Sequence, residues 1–257
     1  MKLSAVIITK NEAHIIGKTL AALKNLADEV IIVDSGSTDE TLSICRQMNA
    51  RIIETNWEGY GVTKNKGIAA ATNDWILSLD ADEVPDEKVQ QQLQQLPEGD
   101  ARNVYRFNYL NIFCNKPIRH GVWGGDKHIR LFNRRLVKWN DVPVHENLIF
   151  PADINVIPLP GYIRHYTVNS VEDYMQKTLA YAKANAHKYF LQGKSAGFIK
   201  LRVAPAFNFF KNYLLRLGFL DGREGYLVCK TTAWYTFMKY VYLQEMIDNR
   251  NAGPSRS

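Results

Sequence analysis

Two aspartates separated by one residue stand directly after an apolar run, in Leu77-Ser78-Leu79-Asp80-Ala81-Asp82-Glu83. Side chains alternate along an extended chain, so Asp80 and Asp82 face the same way if strand geometry persists past Leu79. Two unpaired carboxylates about 4 Å apart repel by roughly 4 kcal/mol at an effective dielectric of about 20, and a divalent ion relieves that repulsion. An oxygen-rich pair suits Mg²⁺ or Mn²⁺ and hardly suits Zn²⁺. The alternative use of such a pair is to cap the turn that follows. A further carboxylate, Asp34, closes the run Ile31-Ile32-Val33 and precedes Ser35-Gly36-Ser37. A strand-end carboxylate can accept a hydrogen bond from a nucleobase ring N–H, and a Gly-Ser turn lets backbone approach a ligand closely. The same residues also make an ordinary entry into a helix. Thr9-Lys10-Asn11-Glu12 follows the first apolar run in the same manner.

The elements that must position these groups alternate between two hydrophobic periods. Leu3–Ile8, Val30–Val33, residues 51–54 and Trp75–Leu79 read as buried strands. Between them, residues 13–26, the stretch through Leu42 and Met48, and residues 63–71 carry helical spacing. Ser37-Thr38-Asp39-Glu40 fits a capping box at the start of the second helix. Strand and helix at this spacing predict an α/β fold, a mostly parallel sheet flanked by helices. Ligands bind such sheets beyond the carboxyl ends of the strands. Asn11, Asp34 and Asp80, distant in sequence, are therefore expected to meet in one crevice. A polar helix over 86–96 follows Pro85, and residues 103–167 hold short aromatic and β-branched runs (104–109, 128–132, 136–139 and 162–166) that read as antiparallel additions. From Ser170 the pattern is helical, with Phe207, Phe210, Leu214 and Leu217 on one stripe and Trp234, Phe237 and Val241 on another.

Composition narrows the class. In 257 residues, 46% are apolar and 23% charged, which excludes wholesale disorder, a collagen-like fibre and a polytopic membrane protein. Cys45, Cys114 and Cys229 are too widely spaced for a Cys-x-x-Cys clip, which favours a reducing compartment. The first residues reach Lys10-Asn11-Glu12 too soon for a signal-peptide core, and no run of about 18 apolar residues occurs, so a soluble cytoplasmic protein is expected. The net charge of +6 is unevenly spread. Residues 1–159 carry 18 basic and 20 acidic side chains, whereas 160–257 carry 14 and 6. The positive excess lies in the last hundred residues, where it would attract nucleic acid, anionic membrane or anionic substrate, unless it is simply a solvated face.

Three blocks together carry a resemblance: Ser4-Ala5-Val6-Ile7-Ile8-Thr9-Lys10-Asn11-Glu12, Val33-Asp34-Ser35-Gly36-Ser37-Thr38-Asp39-Glu40-Thr41, and the DxD-type Asp80-Ala81-Asp82-Glu83. In order and spacing they resemble family-2 inverting glycosyltransferases with a GT-A, Rossmann-like fold. Later pieces resemble the branch containing lipopolysaccharide inner-core β-1,4-glucosyltransferases: Gly121-Val122-Trp123-Gly124-Gly125, His128-Ile129-Arg130-Leu131-Phe132, Val144-His145-Glu146 and Gly218-Phe219-Leu220-Asp221-Gly222. The resemblance implies a catalytic core over 1–168, a basic helical extension over 169–250 and a disordered tail over 251–257. It implies that Asn11, Glu12 and Asp34 hold the uridine of a UDP-sugar, that Asp80 contacts ribose or metal, and that Asp82 binds Mn²⁺ or Mg²⁺ bridging the diphosphate. Lys64 stands where the family often carries a cation near the nucleotide, or is an exposed helix-start lysine. Processive members often end in Gln-x-x-Arg-Trp; this chain lacks that motif, which points to transfer of a single sugar.

Inverting transfer needs a base that removes a proton from the acceptor hydroxyl. Glu146, in Pro143-Val144-His145-Glu146, is the first candidate and Asp126 the second. His165 is placed as a third metal ligand or phosphate contact. Trp123, followed by two glycines, stacks on a sugar face or belongs to the core. Arg130, Arg134 and Arg135 offer guanidinium forks to an anionic acceptor, or line an exposed strand edge. Lys200, Arg202, Lys211 and Arg216, interleaved with phenylalanines, form a basic amphipathic stretch that would rest on a membrane surface. The expected reaction is transfer of glucose from UDP-glucose to a lipopolysaccharide core heptose, at the cytoplasmic side of the inner membrane and without nucleic acid. The competing readings are another lipid-linked or protein acceptor, a non-catalytic nucleic-acid-binding module, and a nucleotidyltransferase. The last would carry a Gly-rich phosphate loop after its first strand, and Thr9-Lys10-Asn11-Glu12 is not one.

Overall fold

Continuous apolar runs make strands that are buried on both faces, and such strands run parallel beneath covering helices. The computed structural model describes residues 1–141 and 146–252. Two compact units form: one from 1–110 and 126–166, the other from 111–125 and the chain from Thr167 onward.

In the first unit, β1 (Leu3–Thr9) is buried at every position. β2 (Glu29–Asp34) and β4 (Trp75–Asp80) flank it in parallel, and β3 (Arg51–Glu54) lies parallel beyond β2. The connecting helices are α1 (Ile16–Leu23), α2 (Thr41–Gln47) and α3 (Tyr60–Ala70). β5 (Glu83–Pro85) and α4 (Glu87–Gln95) follow, the latter capped by Asp86, whose carboxylate accepts from the Val89 N–H. β6 (Asn103–Phe113) and β8 (Lys127–Asn133) add antiparallel strands, β8 joining β4, and β11 (Asn155–Val168) pairs antiparallel with β5. The sheet order is β3-β2-β1-β4-β8-β6-β11-β5, with β7 (Lys116–Ile118) on β6. The mixed α/β architecture is the one expected. β9 (Lys138–Trp139) and β10 (Leu148–Ile149) form a separate two-stranded ribbon that the sequence did not announce.

α3 lies unusually close to the sheet. A Cβ added to Gly67 would stand 2.4 Å from a Val6 methyl and 2.6 Å from a Val33 methyl, both in the core beneath the helix. Only a residue without a side chain fits there.

The second unit is helical: α5 (Val171–Leu191), α6 (Phe198–Phe210), a π-helical turn over Lys211–Leu215, a 3₁₀ turn over Gly218–Asp221, and α7 (Gly222–Ala252). Phe113, Ile118, Val168 and Val228 form one small core, and Ala186, Ala196 and Leu243 another. No helix among the described residues is long and apolar enough to cross a membrane.

Several boundaries differ from expectation for identifiable reasons. The capping box does not form: the Ser37 hydroxyl donates to Asp34, Asp39 accepts from the Thr41 amide (3.0 Å) and hydroxyl (2.5 Å), and Glu40 makes no cap bond. The first helix starts only at Ile16, because Glu12 O first closes a turn with the amides of Ile15 and Ile16. The expected strand at 136–139 shrinks to two residues, since Asn133 draws the amides of Arg135, Leu136 and Val137 into a turn. Residues 251 and 252, expected in the tail, continue α7; residues 253–257 lie outside the described ones.

Candidate active site

Register brings the strand ends together. Thr9 stands opposite Asp34 and Ile8 opposite Asp80, so the predicted residues of three strands share one edge of the sheet. The first two loops lock onto each other. Asn11, in a left-handed conformation at φ 57°, accepts the Thr38 N–H through its side chain (2.8 Å) and donates its own N–H to Ser37 Oγ (2.9 Å). The Glu12 N–H donates to Thr41 Oγ1 (2.8 Å). Asp34 is 1% exposed, and its carboxylate accepts from the amides of Gly36 (2.9 Å) and Ser37 (2.8 Å) as well as the Ser37 hydroxyl. The Asp34 carboxylate, expected to meet a nucleobase, shapes its own turn in this structure.

The DxD segment departs further from expectation. The chain turns after Asp80, the Ala81 carbonyl accepting from the Thr19 hydroxyl (2.6 Å), and the two aspartates take different partners. Asp80 faces two cations of the protein itself: Lys64 Nζ at 3.1 Å and Arg130 Nη2 at 3.3 Å. Burial alone would raise the Asp80 carboxyl, but Lys64 and then Arg130 outweigh it and hold it well below the usual carboxylate range. Lys64 and Arg130 thus offset the Asp80 charge from within the protein.

Lys64 is fully buried and not an exposed helix-start lysine. Its ammonium also meets Glu146 Oε1 at 3.0 Å and lies 4.5 Å from the centre of the Trp139 ring. One cation therefore ties the DxD aspartate to the carboxylate proposed as base, a pair 66 positions apart in the chain. Arg130 is likewise 7% exposed and not on an open strand edge: Nε donates to the Tyr109 hydroxyl (2.6 Å) and Nη2 to Glu83 Oε1 (2.5 Å). Burial pushes the Tyr109 phenol well up. Glu83 is 1% exposed and its other oxygen accepts the Asp80 N–H (3.1 Å). Arg134 is turned away from any acceptor; it donates to the carbonyls of Ile68 and Ala71 at the end of α3, and both Arg134 and Arg135 pair with Asp74.

Asp82 pairs instead with His165 of β11, Oδ2 to Nε2 at 3.3 Å. Burial pulls the imidazole down, but the Asp82 hydrogen bond and the charges of Asp82, Glu83 and Asp80 win, pushing it up to about 9. Asp126 pairs with His128 at 3.0 Å; that hydrogen bond, against burial, holds its carboxyl below the ordinary value. Trp123 belongs to the second unit, where it packs on Phe113 (6.1 Å between ring centres) and Tyr174 (5.5 Å), as a core residue does. Val142 to His145, which precede Glu146, lie outside the described residues.

Glu83, Tyr109 and Trp139 escaped the sequence reading. Glu83 had a signal, a third carboxylate directly after Asp80-Ala81-Asp82, whereas nothing local marks Tyr109 or Trp139. Among the described residues no three His, Cys, Asp or Glu side chains converge as a metal cage. What exists is a two-donor set, the Asp82 carboxylate and the His165 imidazole, each about a quarter exposed. Mg²⁺-type sites commonly use one or two carboxylates and complete the shell with substrate phosphates, so Asp82 fits a diphosphate-bound ion, and His165 would join it only on giving up the proton it shares with Asp82.

Comparison with known proteins closes the question of class. The sequence profile of glycosyl transferase family 2 matches residues 4–149. The chain belongs to glycosyl transferase family 2. It is 30% identical to a glycosyltransferase of Rickettsia felis over 256 residues, covering 96% of this chain and 90% of the relative. It is 25% identical over 252 residues, 93% of this chain and 90% of the other, to the lipopolysaccharide core biosynthesis glycosyltransferase LpsC of Rhizobium meliloti. Among solved structures, glucosyl-3-phosphoglycerate synthase of Mycobacterium tuberculosis, in complex with Mn²⁺, UDP and glucosyl-3-phosphoglycerate, aligns over 44% of each chain at 23% identity and a TM-score of 0.35. Family membership makes the protein a transferase, which decides between the enzyme and the non-catalytic module. In this family-2 glycosyltransferase the matched span holds Lys64, Asp80, Asp82, Arg130 and Glu146, while His165 lies beyond it.

Proposed function

We propose that this glycosyltransferase moves a single glucose from UDP-glucose, with inversion at the anomeric carbon, onto a heptose of a lipopolysaccharide core. The observation that carries the reading is the buried Lys64 ammonium, 3.1 Å from Asp80 and 3.0 Å from Glu146. It joins the donor-side carboxylate to the acceptor-side one, so the base is held in fixed register with the strand edge that takes the nucleotide. Glu146 Oε1 is engaged by Lys64, which leaves Oε2 to receive the acceptor proton. A positioned carboxylate in that role contributes about 10²–10⁴ in rate.

Two hydroxyls support a ligand at the strand ends. Thr9 Oγ1 and Ser35 Oγ are buried with no hydrogen-bond partner among the described residues, and buried polar atoms in native proteins are normally satisfied. A nucleotide seated above β1 and β2 would complete them. Asp82 and His165 would hold Mn²⁺ or Mg²⁺, which supplies Lewis-acid stabilisation of the leaving diphosphate when bound. The acceptor class is supported by the relative from Rhizobium meliloti, whose name places it in lipopolysaccharide core biosynthesis. Such an acceptor would put the reaction at the cytoplasmic face of the inner membrane.

Purified protein with UDP-glucose, Mn²⁺ and heptose-terminated core acceptor should form the glucosylated product. Glu146→Gln should lower turnover by about 10²–10⁴ while calorimetry shows UDP binding unchanged. Wild-type turnover in that variant removes the base assignment. Full activity of Asp82→Ala, or of the native enzyme in excess chelator, removes the metal.

A further inference from the structure

α6 is built inside out. No residue of this thirteen-residue helix is buried, although Phe, Ile, Leu, Val and Ala dominate it. Ile199, Val203, Phe207, Phe210 and Leu214 follow one another at spacings of four, four, three and four, which places them on one face. That face is 47% to 70% exposed. In the turns that follow, Leu215, Leu217, Phe219 and Leu220 are exposed as well. The face turned to α7 mixes polar groups with Phe209, whose ring meets Tyr226 at 5.8 Å between centres. Asn208 donates to the Thr236 hydroxyl (3.2 Å), and the 3%-exposed Asn212 donates to the Asn208 backbone and side-chain oxygens (2.9 Å each). In water the hydrophobic effect orders a helix the other way, with its apolar stripe on the core and its amides outside. Contiguous exposed apolar surface marks a place meant to be covered.

Charge identifies what covers it. From Gly193 to Leu220 the chain has five basic residues and no acidic one: Lys194, Lys200, Arg202, Lys211 and Arg216. None of the five enters an ion pair among the described residues, and Arg202 lies over the Phe198 ring, 5.4 Å from its centre. A protein groove that matched this surface would have to bring a carboxylate for each cation into an apolar interface. An anionic bilayer provides both at once, hydrocarbon for the stripe and headgroup phosphates for the rim. The stripe is also too short to cross a bilayer, and a helix of this composition lies in the plane of the surface.

We infer that the α6 face from Ile199 to Leu220 is a membrane-docking surface that inserts its apolar stripe into an anionic leaflet, with Lys200, Arg202, Lys211 and Arg216 at the phosphate level. The inference rests on the second unit alone and stands whichever donor or acceptor the first unit uses. It is tested by flotation of the full chain with vesicles of phosphatidylethanolamine and phosphatidylglycerol, beside vesicles of phosphatidylcholine. The native protein floats with the anionic vesicles, less at high salt, and weakly with the neutral ones. Phe207→Glu with Phe210→Glu stays in the pellet with an unchanged circular-dichroism spectrum. Lys211→Gln with Arg216→Gln lowers partitioning by tenfold or more, given about fivefold for each basic residue at an anionic surface. Flotation of the double-Glu variant at native levels overturns the inference. So does native protein that forms a dimer in sedimentation equilibrium, loses it on Phe207→Glu and ignores both kinds of vesicle.

Discussion

The carboxyl edge of the parallel sheet and the outer face of α6 invert one another. At the edge, ionised side chains lie where apolar ones are usual: Lys64 is fully buried, Glu83 1% and Arg130 7% exposed. On α6, phenylalanines and leucines lie where charged residues are usual. Each inversion is tolerated for its own reason. The buried charges are mutually compensated through Lys64–Asp80, Lys64–Glu146, Arg130–Glu83 and Arg130–Asp80. The exposed stripe has no such compensation among the described residues, and the proposed leaflet would supply it. A buried charge network is therefore read from its internal contacts, and an exposed apolar stripe from what is missing around it.

The comparison breaks most easily at Lys64. Lys64→Met keeps the bulk and removes the cation shared by two carboxylates, which should cost about 3–5 kcal/mol in urea unfolding, since losing one partner strands buried charge. Adding Asp80→Asn should recover part of that loss; equal stability of native and Lys64→Met proteins would show that the network is not the closed circuit its distances imply. Glu29 sharpens the contrast from the other end of the same sheet. Burial would raise its carboxyl, but the Thr72 amide, the Ser4 and Thr72 hydroxyls and Arg51 together hold it below its ordinary value. A carboxyl lowered by folding stabilises in full above its unfolded value and loses that contribution as pH falls through the folded one. Glu29→Gln should thus cost about 1 kcal/mol near neutral pH and nothing in strong acid, a difference that thermal melts across the range would show. The smallest effect belongs to α6. In aqueous buffer Phe207→Glu should change unfolding free energy by no more than about 0.5 kcal/mol, because an exposed side chain has little packing to lose. A loss of several kcal/mol would mean that Phe207 belongs to a core.

The legible part of this molecule was local. Continuous runs such as Leu3–Ile8 and Trp75–Leu79 announced parallel strands, and once those were in place Asp34 and Asp80 had to lie on one edge. What the groups do there was not local. Lys64 meets Glu146 across 82 positions and Arg130 meets Glu83 across 47, and no periodicity reports which distant side chains will share a pocket. The expectation of two bare aspartates failed for that reason, because the partners of Asp80 came from α3 and β8 and that of Asp82 from β11. The stripe on α6 was visible in the spacing of Phe207, Phe210 and Leu214, and its basic residues pointed to a membrane surface, but how far it is exposed was not visible. The rule that turns apolar faces toward a core assumes water on the other side.

Gly67 sits one turn beyond Lys64 on α3, at the point where the helix presses on Val6 and Val33. The depth at which α3 rests is thus decided by a lone hydrogen atom, and that depth sets how far the ammonium reaches toward both carboxylates. A methyl at this spot would act as a shim, lifting the helix and loosening the Lys64 link between Asp80 and Glu146 without touching either. The placement of Lys64 is set, in part, by a residue that has no chemistry of its own.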